Sequence, residues 1–243
     1  MKIAVIGGTG LIGSQVVEIL KEAGHDAVPH SLSTGVNVIT GEGLEEAVAG
    51  ADTVVNLTNS PAFDDTSLAF FRTSMDHLLA ACEKGRVRHV VILSIVGVDQ
   101  VPALDYYRAK VLQEDVLAAG PIPYSIVRAT QFMEFVGAVM DATTEGDTVR
   151  LPRTPLQPIA AADVARAVAD VALGAPLGGV LDIAGPEVFP LDELGRLTLA
   201  ARGDGRTVVT DDTAGMFAAV PGDVLTAPDG ARIAPTHYRD RLS

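Results

Sequence analysis

The chain has 243 residues, of which 48% are hydrophobic and 20% charged, which excludes a disordered protein and leaves enough apolar side chains for a large core. Eighteen basic and 31 acidic residues give a net charge of −13, so we expect no nucleic-acid partner. The single cysteine, Cys82, excludes an internal disulfide, and the sequence shows no spacing of Cys and His residues that is typical of a metal site. It also shows no signal-peptide or transmembrane pattern, so we expect a cytoplasmic protein without a metal or a membrane attachment.

Strand-like and helix-like segments alternate through the first half of the chain. Short apolar runs predict strands at residues 3–6, 27–28, 52–57, 89–93 and 124–127. Helical periodicity between them predicts helices at residues 11–23, 44–48, 68–84 and 104–119. This alternation predicts a doubly wound α/β protein, in which helices cover both faces of a parallel sheet.

The pattern is looser after about residue 130. Three prolines between residues 152 and 158 indicate an irregular segment, and the last forty residues give no clear prediction. We predict helices at 132–144, 160–173 and 191–201 and a strand at 180–183. Because no repeat or low-complexity linker divides the chain, residues 1–243 are expected to form a single domain.

A glycine-rich motif, GGTGLIG, follows the first predicted strand and opens the first helix. Its glycines allow a tight turn and let backbone N–H groups approach a pyrophosphate, and the helix N-terminus supplies partial positive charge. At this position in a βαβ chain the motif predicts a dinucleotide-binding loop, and the alternative is a tight turn without a ligand. The expected contacts are Gly7, Thr9, Gly10, Leu11, Ile12 and Gly13.

The end of the second strand should contact the ribose of the dinucleotide. NAD-selective sites place an acidic residue there and NADP-selective sites a basic one, but residues 30–34 read HSLST and contain neither. The hydroxyls of Ser31, Ser33 and Thr34 could bind a 2′-phosphate, and His30 could add charge. This arrangement slightly favours NADP over NAD, and a polar loop that discriminates poorly remains the alternative.

Three residues are candidates for catalysis. Ser94 follows an apolar strand, where the carboxyl ends of parallel strands bind ligands. Tyr106 and Lys110 are four apart and share one helix face, whereas Tyr107 belongs to an offset apolar stripe with Leu104 and Val111. In carbonyl reduction Tyr106 would protonate the oxygen, Lys110 would lower the pKa of Tyr106, and Ser94 would hold the substrate oxygen. The alternative is a surface tyrosine beside a solvated lysine.

The segments GGTGLIG, TVVNLTNSP, LSIVGVD, YYRAK, RATQFMEF, QPIAAADVA and IAGPE occur in this order. Together they resemble the atypical, NmrA-like branch of the short-chain dehydrogenase/reductase superfamily. The resemblance implies a Rossmann domain that binds NAD(P), with residues from about 130 onward contributing a small substrate-binding lobe. It also implies that Ser94, Tyr106 and Lys110 occupy catalytic positions, with Lys110 near the cofactor as well. Further residues implied along the cofactor or substrate are Thr58, Asn59, Ser60, Ala129, Thr130, Gln131 and Phe132.

The sequence therefore predicts an NAD(P)H-dependent oxidoreductase that reduces a carbonyl or quinone-like small molecule. Two alternatives remain open. The resembling branch includes proteins that bind NAD(P) without turnover and sense redox state, although the Ser94, Tyr106 and Lys110 set favours an enzyme. An isomerase or epimerase with tightly held cofactor would use the same fold.

Overall fold

The computed structural model describes residues 1–242. The strands are β1 (Lys2–Ile6), β2 (Asp26–His30), β3 (Thr53–Asn56), β4 (His89–Ile95), β5 (Tyr124–Ala129), β6 (Thr144–Glu145), β7 (Thr148–Leu151), β8 (Pro155–Leu156), β9 (Gly179–Ala184), β10 (Phe189–Pro190), β11 (Thr207–Thr210) and β12 (Arg232–Ile233). The helices are α1 (Leu11–Glu22), α2 (Leu44–Val48), α3 (Thr66–Lys84), α4 (Asp105–Ala118), α5 (Val136–Ala142), α6 (Ala161–Leu173) and α7 (Leu191–Arg202). None of these helices is long and apolar enough to cross a membrane.

Seven strands form the central sheet, in the order β12-β9-β5-β4-β3-β1-β2, and all neighbours in it are parallel. Alternate residues of β1 point to opposite faces. Ile3 and Val5 join a core cluster beneath α1 and α6, whereas Ala4 and Ile6 join a second cluster beneath α2 and α3. Both faces of the sheet are thus covered, and the predicted doubly wound α/β class is confirmed.

The second strand is longer than predicted. It spans Asp26–His30 and includes Pro29, which cannot donate a backbone hydrogen bond. Because β2 is an edge strand that pairs only with β1, one side of its backbone needs no partner in the sheet. His30 closes the strand at the carboxyl edge, and its carbonyl accepts hydrogen bonds from the N–H groups of Gly7 and Gly8 at 2.8 and 3.1 Å.

A smaller lobe is built from the second half of the chain. It contains the three-stranded sheet β11-β7-β6, the pair β10-β8 and helices α5 and α7 around a third apolar cluster. The predicted helix at 132–144 is divided into a single 3-10 turn, Met133–Phe135, and α5. Strand β12 returns to the central sheet beside β9. Strands of two to four residues give no periodic sequence pattern, so these additions were not predicted.

Candidate active site

A cleft of about 420 Å³ opens at the carboxyl ends of β1, β3, β4 and β5. Open parallel sheets bind their ligands at this edge. Where the strand order reverses, the connections from two neighbouring strands lead to opposite faces of the sheet and leave a crevice between them. Most of the sequence-predicted site residues line the cleft: Gly7, Gly10, Leu11, Ile12, Gly13, Thr58, Asn59, Ser94, Tyr106, Lys110, Ala129, Thr130, Gln131 and Phe132. The cleft lining does not include Thr9, His30, Ser31, Ser33 and Ser60.

Three positions of the GGTGLIG loop differ in why they are occupied by glycine: one has a positive φ, one lies against the turn, and one faces the cleft. Gly7 has a φ of +81°, and a Cβ there would lie 2.8 Å from the backbone of Leu57. A Cβ on Gly13 would lie 2.1 Å from the carbonyl oxygen of Gly7, so α1 packs directly on the turn. Gly10 has ordinary extended backbone angles, and its Cβ would meet only the Gly7 oxygen at 3.4 Å. The fold therefore requires Gly7 and Gly13, whereas at Gly10 it leaves open space facing the cleft.

Helix α1 begins beside this open space. Gly10 is its N-cap residue and offers no side chain to cap the first turn. The first N–H groups of an α-helix lack partners within the helix, and its N-terminus carries partial positive charge. The loop thus combines uncapped donors, a positive helix end and room for close approach, which is the arrangement that a pyrophosphate requires.

The loop after β2 holds its own hydroxyls in place. The Ser31 and Ser33 hydroxyl oxygens lie 2.8 Å apart, and Thr34 Oγ1 accepts the Ser31 N–H at 2.8 Å and donates to the Ser31 carbonyl at 3.0 Å. Burial and then the charge of Lys2 lower the pKa of His30. This shift favours the neutral imidazole, and the contribution of His30 to binding a 2′-phosphate stays a prediction. Leu32 projects from this loop with 75% of its surface exposed.

Ser60 faces the protein rather than the cleft. Its hydroxyl oxygen accepts hydrogen bonds from Ser67 Oγ at 3.1 Å and from the Ala62 N–H at 3.3 Å. These bonds shape the connection between β3 and α3. Ser60 thus helps to hold this loop, and its place along the cofactor stays a prediction.

Tyr106 is buried against the cleft, and its hydroxyl donates a hydrogen bond to Asn59 Oδ1. Burial raises the pKa of Tyr106 to about 12, and the bond to Asn59 opposes that shift. Nearby, Ser94 Oγ and Thr130 Oγ1 are buried without a hydrogen-bond partner among the described residues. Unpartnered buried polar atoms are costly in a folded protein, so their presence in one cleft indicates a place for ligand polar groups.

Lys110 is buried at the wall of the cleft. Its ammonium donates to the Leu93 carbonyl at 2.7 Å and to Gln113 Oε1, and it lies 4.8 Å from the centre of the Phe71 ring. Burial lowers the pKa of Lys110 to about 7, and Glu114 opposes this shift. Burial and the bond to Asn59 are the causes of the shift in the pKa of Tyr106, and the lowering of this pKa by Lys110 stays a prediction.

Tyr107 shares the cleft with Tyr106. The sequence places it on an apolar stripe, and it does join the apolar cluster of the small lobe with only 3% of its surface exposed. It also lines the cleft, so the two tyrosines are not separated onto core and site faces as expected. Burial raises the pKa of Tyr107 above its ordinary value.

Four apolar residues of the cleft were not predicted as site residues: Phe63, Met216 and Phe217, which lie outside the segments that carry the resemblance, and Phe135, which ends the segment RATQFMEF. Phe135 was part of a predicted packing helix, and Met216 and Phe217 lie in the unpredicted last forty residues. The segment that carries them is tied to the small lobe, since Thr154 Oγ1 donates to the Phe217 carbonyl at 2.8 Å. A large aromatic residue in a loop, such as Phe63 after the third strand, was the only available signal.

Comparison with known proteins places this geometry in context. A family model described as NAD(P)H-binding matches residues 7–173, which is more than half of the chain. The photosystem II assembly factor Ycf39 of Synechocystis is 26% identical over 151 residues, covering 55% of this chain and 46% of that protein. The chain therefore matches less than half the length of this curated relative.

Solved structures share the fold at low identity. The NADPH-dependent quinone oxidoreductase QOR2 of Escherichia coli, complexed with NADPH, has a TM-score of 0.69 and 20% identity, covering 86% of this chain and 77% of that one. The UDP-glucose 4-epimerase of Thermus thermophilus, complexed with NAD, has a TM-score of 0.71 and 19% identity, covering 99% and 93%. These likenesses confirm the predicted Rossmann fold, and the family model confirms the predicted NAD(P)H-binding type of protein.

Proposed function

We propose that this chain, which belongs to the NAD(P)H-binding family, is an oxidoreductase that reduces a carbonyl or quinone-like small molecule. The cofactor would lie between the GGTGLIG loop and Lys110, with its pyrophosphate at Gly10 and the start of α1. The open space at Gly10 and the uncapped helix fit such a group. When bound in its reduced form, the nicotinamide cofactor supplies a hydride to the substrate carbon.

The apolar lining of the cleft is the observation that supports this substrate class. Among the lining residues only Lys110 is a cation, and its ammonium is already engaged by Leu93 and Gln113. A sugar nucleotide, the substrate of the epimerase with a similar fold, carries a second diphosphate besides that of the cofactor, and apart from the glycine loop the lining offers no free cation for it. Aromatic and aliphatic side chains favour an uncharged ring or carbonyl compound.

Tyr106 is the proposed proton donor. With a pKa of about 12 its hydroxyl is protonated at neutral pH, and its proton now lies in the hydrogen bond to Asn59. A substrate oxygen near this hydroxyl and Ser94 Oγ would receive hydrogen bonds that strengthen as negative charge develops on it. For a carbonyl substrate, the carbon would receive the hydride that a bound reduced cofactor supplies, Tyr106 would give its proton to the oxygen, and solvent would return a proton to Tyr106.

The cofactor preference follows from the loop after β2. Its exposed hydroxyls can still donate to a 2′-phosphate, but neither arginine nor lysine occurs between Lys21 and Arg72. We propose that NADPH is preferred to NADH by roughly 1–2 kcal/mol, the contribution of one or two hydrogen bonds to a charged group. Equal affinities in calorimetric titration would remove this preference and leave the rest of the proposal intact.

The decisive experiment is an oxidation assay with the purified protein. NADPH and NADH are each mixed with 1,4-naphthoquinone, an aromatic ketone and UDP-glucose, and absorbance at the reduced-nicotinamide band is followed. Oxidation with the quinone or ketone supports the proposal. Tight NADPH binding without any turnover would favour a redox sensor, whereas conversion of the sugar nucleotide without net oxidation would favour an epimerase.

A further inference from the structure

Two neighbouring strands carry a hydroxyl on the same face of the central sheet. Ser94 lies in β4, and Thr130 directly follows β5. The parallel pairing continues past the end of β5, because the Thr130 N–H donates to the Ile183 carbonyl at 3.0 Å. Side chains alternate across a sheet, so Thr130 lies on the same face as Arg128, which reaches Glu114 of α4. Both hydroxyls therefore lie on the α4 side of the sheet.

The register of the two strands sets the distance between these hydroxyls. Thr130 lies two residues beyond Arg128, the residue of β5 that pairs with Ser94. With the usual rise and strand spacing, the Cα atoms of Ser94 and Thr130 are then roughly 8 Å apart. Side chains on one sheet face stand nearly parallel, so the hydroxyls keep about this separation. A single ligand oxygen would need both hydroxyls within about 5–6 Å of each other, so the spacing fits two ligand oxygens.

Helix α4 places one tyrosine at each part of the cleft. The Tyr106 hydroxyl donates to Asn59, just beyond β3. Tyr107 shares its helix face with Glu114, seven residues further on, and Glu114 forms an ion pair with β5. In agreement with this placement, a hydrogen bond with Gln131 opposes the rise that burial causes in the pKa of Tyr107. Tyr106 and Tyr107 therefore belong to separate polar parts of one cleft.

Thr130 is the group that the proposed function leaves without a partner. Ser94 and Thr130 are 4% and 1% exposed, both line the cleft, and neither hydroxyl has a hydrogen-bond partner among the described residues. Ser94, with Tyr106, is already proposed to hold the oxygen that is reduced. A hydroxyl that stays buried and unbonded is unfavourable, so Thr130 Oγ1 should donate to a second polar atom of a bound ligand.

We propose that Thr130 is a specificity-determining residue that binds a second oxygen of the substrate, so that the cleft prefers diones to matched monoketones. One oxygen lies at Tyr106 and Ser94, and the other accepts a hydrogen bond from Thr130 Oγ1. The apolar side chains of the lining contact the carbon frame between the two oxygens. The inference rests on the proposed function and adds to it the class of carbonyl compound.

A binding experiment tests this preference without turnover. The protein is loaded with NADP⁺, which has no hydride to give, and is titrated calorimetrically with 1,4-naphthoquinone and with 1-tetralone. The two probes share a fused two-ring carbon frame and differ in carrying two oxygens or one. A hydrogen bond to the second oxygen should give the dione a Kd lower by roughly 3- to 10-fold.

Three variants identify the group responsible. Thr130→Val removes the hydroxyl, and the Kd ratio of the two probes should fall to within about twofold of unity, because the second oxygen has lost its donor. Thr130→Ser keeps a hydroxyl and should retain the preference. Thr53→Val is the matched control, since Thr53 is also a buried threonine of the sheet but lies outside the cleft lining, and it should bind both probes as the wild type does. Thermal melting checks that each variant folds.

The outcomes separate this inference from the proposed function. An equal rise in the Kd of both probes in Thr130→Val, or an unchanged dione preference, overturns the second oxygen site even if the protein is an active reductase. A weaker Kd for NADP⁺ with an unchanged probe ratio also overturns it, because Thr130 then serves the cofactor. If the preference is lost in Thr130→Val while neither probe is ever reduced by NADPH, the oxidoreductase proposal fails and the dione-binding site stands.

Discussion

Replacing Gly10 by valine should separate ligand binding from folding. The backbone at Gly10 is extended, with φ −79° and ψ 179°, and a Cβ would contact only the Gly7 oxygen at 3.4 Å. The variant loses a favourable N-cap residue, which costs about 0.5–1 kcal/mol. For a chain of this size that corresponds to a Tm lower by roughly 1–4 °C. Gly10→Val should therefore remain folded at room temperature.

Ligand binding should respond very differently. The valine side chain would fill the space through which a pyrophosphate approaches the start of α1. NADPH at a hundred times its Kd stabilises a protein by about 2.7 kcal/mol, which is roughly 5–11 °C in Tm. We expect the wild-type protein to show this shift and Gly10→Val to show none. Thermal melting with and without NADPH, backed by calorimetric titration, measures both quantities.

Gly13→Ala is the matched comparison within the same loop. Its Cβ would lie 2.1 Å from the Gly7 oxygen, so the turn and α1 must move apart, at a cost of roughly 1–3 kcal/mol or more. This variant should lose stability before any ligand is added. Unchanged NADPH binding in folded Gly10→Val, or a Gly13→Ala protein as stable as the wild type, would refute this account of the loop.

Three further predictions follow from the site. Tyr106→Phe should lower the rate of single-turnover NADPH oxidation by a factor on the order of 10²–10⁴, whereas Tyr124→Phe, outside the cleft, should leave it unchanged. A Tyr106→Phe protein that keeps the wild-type rate would show that another group is the acid. Leu32→Arg should tighten NADPH but not NADH by roughly 1.5–3 kcal/mol in calorimetric titration, and equal tightening of both would contradict the position of the 2′-phosphate. The pKa of Lys110 is about 7 in the folded protein and has its ordinary, higher value in the unfolded chain, so between pH 7 and 9 the unfolded chain binds the extra proton and the protein becomes more stable as the pH rises. Lys110→Met should reduce this rise in Tm, and a pH profile of Tm identical to that of the wild type would disprove the prediction.

The first half of the fold was predictable because its signals are local. Apolar runs such as HVVIL and the glycine loop determine β4 and the start of α1 without reference to distant residues. Strand β2 was predicted too short because Pro29 and His30 break the apolar pattern, and only its edge position makes them acceptable. The small lobe depends on contacts between short segments far apart in the chain, which no local pattern encodes.

The candidate site was predicted in position but not in detail. The four-residue spacing correctly placed Tyr106 and Lys110 at the same cleft. The spacing could not reveal that Lys110 is held by a carbonyl of β4 and by Gln113, because these partners depend on how α4 packs against the sheet. Burial rather than sequence distance then fixes the pKa of both side chains.

The cleft joins parts of the chain that are far apart in sequence. The glycine loop and α4 belong to the first half, whereas Met216 and Phe217 come from the last segment, where Thr154 binds the Phe217 carbonyl. Domains generally fold as units, and α6 packs with α1 around one core cluster. The dinucleotide loop should therefore become stable only after α6 has been synthesised. A nascent chain should acquire the ability to hold a cofactor late, once residue 173 has left the ribosome.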